Sequence, residues 1–286
     1  MKLILFLYNI LLIIITPFAA IFGYFIMKRK GKADFWLERF GFIKRGETRF
    51  QKTVWFHAAS VGETRSIKPI IDRLRKETGD ISIAVSTMTA TGRLEALNFL
   101  KADAAFLLPI ENAPAISRII KEWNVKAVVI VDTEIWPNFI FTASSLAPLF
   151  LINGRISDKT FKKYKFLRPF FKPILKKFAC IAAKSDEDET RFRTLTGDAD
   201  NVITAGNIKF QERKKPEEIS VIDELKNTRF FLAASTHEGE EAEILSWFDK
   251  GKAGFDKIVI PPRHIERSGA IKQLAETNGY SAGLFS

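Results

Sequence analysis

The sequence predicts an α/β protein: a Rossmann-like parallel-sheet domain, then an incomplete second Rossmann-like unit, with an apolar helix in front. Short β-branched runs alternate with helical stretches over residues 31–206, the pattern of strands joined by crossover helices. A polar, charged segment at 207–228 separates them from two further apolar runs within 229–286. Residues 3–27 carry no charged side chain at all.

That first run, LILFLYNILLIIITPFAAIFGYFIM, is long enough as a helix to cross a hydrocarbon core of about 30 Å. It is followed directly by KRKGK, without the shorter core and small-residue cleavage site of a secretory signal, so residues 1–30 read as a retained anchor. Lys28, Arg29, Lys30 and Lys32 outweigh the single Lys2 ahead of it, which predicts a body on the cytoplasmic side of the membrane. Pro17 and Asn9 leave a second arrangement open, a helix lying in the membrane interface.

A basic, aromatic connector containing FWLERFGF leads into the alternation. TVWFHA, ISIAVST, AAFLLP, KAVVIVD, PLFLIN and ACIAAK read as buried strands. SIKPIIDRLRKE, ATGRLEALNFL, NAPAISRIIKEW and SDEDETRFRTL read as helices between them. Beyond the linker, FFLAAS and KIVIPP are strands, and THEGEEAEILSWF opens a helix with Thr236 as N-cap and acids in its first turn. A sheet of that size leaves an unpaired edge and an uncovered apolar face.

Composition narrows the function classes. With 286 residues and 47% apolar content the chain buries a real core. Its net charge of +11 suits phosphate-rich partners or an anionic bilayer. Nucleic acid is disfavoured, because no zinc-finger, RNP-like or basic-zipper pattern is present. The lone Cys180, in the apolar FACIAAK, reads as a small buried residue. His57, His237 and His264 lack metal-ligand spacing. No GxGxxG, P-loop or GxSxG motif occurs, and SDEDE is better explained by helix capping than by metal binding.

Polar loops at the strand ends remain. In a parallel sheet these ends line one crevice, so Glu63, Thr87, Thr91, Asp132, Glu134, Asn138 and Arg155 are expected to converge. Glu63 has two readings at this point: a lone carboxylate offered to chemistry, or a first-turn acid that complements a helix dipole.

HAASVGET, STMTATG, DTEIWPN, NGRIS, GNIKF, AASTHEGEE and PPRHIER, in this order behind an apolar helix, resemble the 3-deoxy-D-manno-octulosonic acid (Kdo) transferases of lipopolysaccharide assembly. The resemblance runs from the anchor to about residue 267. It implies a GT-B glycosyltransferase that moves Kdo from CMP-Kdo to a lipid A precursor with inversion and without a metal or other cofactor. Glu63 then stands at the family's catalytic base, and Asp132 and Glu134 match its acidic loop, with Asp132 one methylene shorter than the family's glutamate. Lys209 would stabilise developing phosphate charge. Ser60, Gly62, Thr87, Thr91, Asn138, Arg155, Ser235, His237, Pro262 and Arg263 fall in substrate-binding motifs. The family continues with a GGHNPLEP-like helix start that completes the CMP pocket, and nothing after NGYSAGLFS supplies it. The expectation is a C-terminally shortened member, with an inactive remnant that binds lipid A precursor as the rival.

Overall fold

The buried runs become strands β1 (Thr53–His57), β2 (Ser82–Thr87), β3 (Ala104–Leu107), β4 (Val125–Val131), β5 (Leu149–Gly154), β6 (Cys180–Ala183) and β7 (Val202–Thr204). In the computed structural model they form one seven-stranded sheet in the order β3-β2-β1-β4-β5-β6-β7, every pairing parallel. The structure describes residues 2–29, 33–43, 52–197, 200–210, 225, 228–249 and 254–284. It divides into two compact units, Met1–Glu212 and Arg213–Ser286.

The helices of the first unit are α1 (Lys2–Arg29), α2 (Ala33–Glu38), α3 (Val61–Ser66), α4 (Lys68–Thr78), α5 (Ala90–Asn98), α6 (Ala113–Glu122), α7 (Pro137–Leu146), α8 (Asp158–Phe166), α9 (Arg168–Leu175) and α10 (Asp186–Thr196). Pattern reading did not single out α7, α8, α9 or β7. NVITAG is too short to register as an apolar run, and basic residues dilute the apolar spacing of α8. α3 and α4 are separate because the chain turns at Ile67 and restarts with Pro69 in the first turn of α4.

Successive strand residues point to opposite faces, and each face is covered. Trp55, Val128 and Ile130 join one apolar layer with Phe106 and Phe139, while Val54, Phe56, Val129 and Val131 join the other. Aromatic rings knit the first layer: Trp55 lies 5.1 Å from Phe139 and 5.5 Å from Phe106, and Phe106 meets Trp123 edge-on at 5.2 Å. Gly154 ends β5 where a Cβ would come within 2.9 Å of the buried Phe192 ring, so the approach of α10 to the sheet requires glycine there. SDEDE is the first turn of α10, where Ser185 Oγ accepts from Asp188 N and Gly197 closes the far end at φ 79°.

α1 contains the apolar stretch Tyr8–Ile26, long and apolar enough by length and composition to cross a membrane, with none of it buried in the protein. Polar contacts among the described residues fasten it, Tyr8 bonding to the Glu111 carboxyl among them. Trp36 Nε1 donates to Ala20 O at 3.0 Å, and Asn138 Nδ2 donates to Asn9 Oδ1 at 2.7 Å.

The connector is stitched to the strand ends: Leu107 N donates to the buried Glu38 carboxylate, and Asn112 Nδ2 donates to Phe40 O. Cys180 departs from the expectation of a buried residue. It is partly exposed on β6, and what burial it has pushes its thiol up, away from thiolate character.

In the second unit, β8 (Phe230–Leu232) and β9 (Lys257–Val259) pair in parallel. Helices Glu240–Asp249 and Ser268–Thr277 accompany them, and Tyr280 Oη donates to Leu245 O at 3.2 Å. Most of the predicted linker, 211–224 and 226–227, lies outside the described residues, whereas Ile208 is buried in the first unit's core.

Candidate active site

The order of strands reverses between β1 and β4, and α/β sheets open a crevice beyond the carboxyl ends at such a point. β1 leads through Ala58 and Ala59 into α3, which carries Glu63 in its first turn. β4 leads into Asp132 and Glu134. The switch therefore brings three acids, from segments about seventy residues apart, to one place.

Glu63 is tied to the helix N-cap Ser60 in a variant of the capping box, reaching back to Ala59 N instead of Ser60 N. Its backbone N donates to Ser60 Oγ at 3.3 Å, and Ser60 Oγ donates to Glu63 Oε1 at 2.9 Å. Oε2 accepts from Ala59 N at 2.7 Å. The dipole-and-cap reading of Glu63 is thus real. It does not exhaust the residue, because the side chain is only partly buried and each carboxylate oxygen keeps further lone pairs. Partial burial pushes its carboxyl above the usual range; the Ser60 and Ala59 hydrogen bonds oppose this, and the nearby Asp132 and Glu134 charges add to it. Gly62 leaves the space above the turn open, since a Cβ there would meet only Ser60 Oγ at 4.0 Å.

Asp132 holds a left-handed φ of 56°, fixed by its backbone N donating to Ile152 O at 3.0 Å. Its carboxylate accepts from Asn153 Nδ2. Glu134 Oε2 accepts from Trp136 Nε1 at 2.9 Å. Tyr164 of α8 lies alongside: burial raises its phenol, and the Glu134 charge raises it further. Asn153, buried and also at φ 56°, accepts at Oδ1 from Ile208 N at 3.4 Å, which links the Asp132 loop to the turn Ile208–Phe210 carrying the exposed Lys209.

The remaining predicted residues divide. Arg155 and Thr91 are exposed at the strand ends. Thr87 is fully buried and donates to Thr89 O at 2.9 Å, within its own turn. Asn138 is occupied by α1 and by Glu111, whose Oε2 accepts from Asn138 N at 2.7 Å. Ser235, His237, Pro262 and Arg263 gather at the ends of β8 and β9. Thr236 bridges Pro262, Arg263 N donates to Thr236 O at 3.1 Å, and Ser235 N donates to Pro261 O at 2.8 Å. Behind them Arg267 grips the buried Glu241 with two bonds of 2.9 and 3.0 Å.

Sequence reasoning missed Asn153, Glu111 and Tyr164. Asn153 was visible within NGRIS, but nothing local marks it as the partner of Asp132. Among the described residues no group of acids, histidines and cysteines is placed to hold a metal ion.

A family model described as 3-Deoxy-D-manno-octulosonic-acid transferase (kdotransferase) matches residues 34–212. A 3-deoxy-D-manno-octulosonic acid transferase of Rickettsia bellii is 32% identical over 242 residues, covering 82% of this chain and 57% of that protein. The one from Rickettsia felis is 34% identical over 236 residues, 80% of this chain and 50% of that protein. That of Haemophilus influenzae is 28% identical over 280 residues, 94% and 65% respectively. The chain spans about half the length of the rickettsial relatives it matches.

Among solved structures, UDP-GlcNAc 2-epimerase from Neisseria meningitidis, bound to UDP-GlcNAc, superposes with a TM-score of 0.55 at 14% identity, over 79% of this chain and 70% of that one. A UDP-N-acetylglucosamine 2-epimerase gives 0.54 at 12%, over 81% and 66%. These likenesses concern the fold. On the match across residues 34–212, this chain belongs to the 3-deoxy-D-manno-octulosonic-acid transferase family.

Proposed function

We propose that the chain carries the acceptor-binding and base-bearing part of an inverting GT-B Kdo transferase, tethered by α1 to the cytoplasmic face of the inner membrane. The donor is CMP-Kdo and the acceptor a hydroxyl of the lipid A precursor. The observation behind this reading is the meeting of Glu63 with Asp132 and Glu134 at the β1/β4 switch. Glu63 takes the proton of the acceptor hydroxyl while that oxygen bonds to the anomeric carbon. The carbon–oxygen bond to CMP breaks on the opposite face, and the electron pair leaves with the phosphate. A carboxyl raised by partial burial and like charges is a stronger base than an exposed one, which suits this step.

The other groups have supporting parts. Asp132, set by Asn153, and Glu134, set by Trp136, keep the neighbourhood negative and orient the acceptor. Lys209 offers a cation to the departing phosphate. Ser60, Gly62, Thr91 and Arg155 border the acceptor, and the loops with Ser235, His237, Pro262 and Arg263 contact the CMP-sugar.

The test is CMP-Kdo-dependent modification of lipid A precursor with Glu63→Gln, which preserves the cap and removes the base. A fall of about 10²- to 10⁴-fold in turnover is expected. Turnover within a few-fold of wild type removes Glu63 from this role. The rival reading is that the chain binds lipid A precursor without transferring sugar. That reading predicts saturable acceptor binding and no product even for wild type.

A further inference from the structure

Between residues 159 and 177 the sequence places eight Lys and Arg and no acid. This stretch is α8 and α9, and its two sides differ. Phe161, Tyr164 and Phe170 pack against the apolar core, and Tyr164 stacks on Phe171 with ring centroids 3.8 Å apart. The fold has therefore already used the apolar face of this helix pair. On the opposite side Lys159, Lys162, Lys163 and Phe166 are linked by i,i+3 and i,i+4 spacings, which aligns them along one helical face, and the exposed Lys165, three residues from Lys162, borders that face. Phe166 is 86% exposed, more than any other large apolar residue described, and Leu167 beside it is 48% exposed. Asp158, just ahead of the stretch, is already paired with Arg191.

A single exposed phenylalanine is unremarkable on a protein surface. One that crowns a lysine-lined face, whose flanking acid Asp158 is engaged by Arg191, has the composition of an interfacial contact. We propose that the α8 face is a second membrane contact, separate from α1. In it Lys159, Lys162, Lys163 and Lys165 meet anionic phospholipid headgroups, and Phe166 and Leu167 enter the acyl boundary. Charge complementarity selects the occupant: the lysines match a negative sheet of phosphates, and the apolar tip needs a layer to enter. Phe166 lies two residues from Tyr164, whose ring adjoins Glu134, so this contact would hold the strand ends close to the bilayer surface. The inference stands on exposure and charge and does not depend on sugar transfer.

The test is lysine footprinting of the full chain, with an amine-reactive reagent and mass spectrometry, on preformed vesicles of phosphatidylcholine alone or rich in phosphatidylglycerol. Labelling of Lys162, Lys163 and Lys165 is expected to fall about fivefold or more on the anionic vesicles, the factor that corresponds to the attraction of one basic residue to such a surface. The exposed Lys76 and Lys121 serve as controls and should stay unchanged. High salt should restore labelling. Phe166→Ser and the pair Lys162→Glu, Lys165→Glu should weaken the remaining protection; both sites are exposed, so the fold, read by circular dichroism, should be intact. Equal labelling on the two vesicle types overturns the proposal. So does protection that requires added lipid A precursor, which would assign the lysines to the acceptor, or protection by duplex DNA and not by phosphatidylglycerol.

Discussion

β1 and β8 are both short, apolar parallel strands, yet their surroundings are opposite. Every residue of β1 is buried, because one apolar layer takes Trp55 and the other takes Val54 and Phe56. In β8 only the side facing Phe231 is covered, by Trp247 at 5.1 Å and Phe255 at 5.8 Å, while Phe230 and Leu232 remain 37% and 53% exposed. An apolar run predicts a strand equally well in both units. Whether it becomes a two-sided core depends on how many partners the sheet has, and a pair of strands covers one face. The first unit thus carries its stability in packing. The second adds polar ties to a smaller set of buried residues, among them the pair between Glu241 and Arg267 and the hydroxyl of Tyr280 on Leu245.

The contrast breaks most readily from the packed side. Phe139 is fully buried between Trp55 and His57, with ring centroids at 5.1 and 5.8 Å. Phe139→Ala should cost the first unit about 3–5 kcal/mol in urea unfolding, through lost burial and a residual cavity. A cost below about 1 kcal/mol would mean that this layer is no better packed than the second unit.

Next in size is a pH effect confined to the first unit. Burial raises the Glu111 carboxyl from 4.5 to about 7 and lowers the His57 imidazole from 6.5 to about 4. The native state holds the Glu111 proton where the unfolded chain has lost it, so this group's stabilisation is full below about 4.5 and disappears as pH rises through about 7. His57 acts in the other direction. Its contribution is full above 6.5 and is lost as pH falls toward about 4. Between about 4.5 and 6.5 the two slopes oppose each other, and wild-type stability should be nearly flat. Glu111→Gln keeps an acceptor for Asn138 N and removes the titration. Its stability should rise with pH across that window by up to about 3 kcal/mol, and a flat profile would remove Glu111 from this account.

The smallest effect lies on the uncovered face. Phe230→Ser or Leu232→Thr should change the second unit's stability by no more than about 0.5 kcal/mol, read by hydrogen exchange at Leu245 and Ile271. A larger loss would show that something covers the face in solution.

Particular residues show where sequence reasoning reached and where it stopped. Glu63 was legible as a strand-end acid at a helix start, because that relation is local, whereas Ser60, placed among the substrate-binding residues, proved to be its cap. SDEDE was read correctly as a helix start for the same reason. Asn138 was chosen for a strand-end loop, yet its amide is tied to Asn9, 129 residues earlier, a partner no local pattern signals. Cys180 looked buried because its neighbours are apolar, and β6 leaves it partly exposed.

The sequence by itself determined the strands other than β7, their carboxyl-end loops, the capping of α10 and the apolar helix, since these follow from periodicity and from residues within a turn of each other. The tertiary structure alone decided that β1 lies beside β4 rather than β3, and hence which of the strand-end residues expected to converge do so: Glu63 meets Asp132 and Glu134, while Thr87 bonds within its own turn. Periodicity reports that a strand is buried without reporting its neighbour, and strand order is settled by crossovers and by layers of side chains packing across the whole sheet.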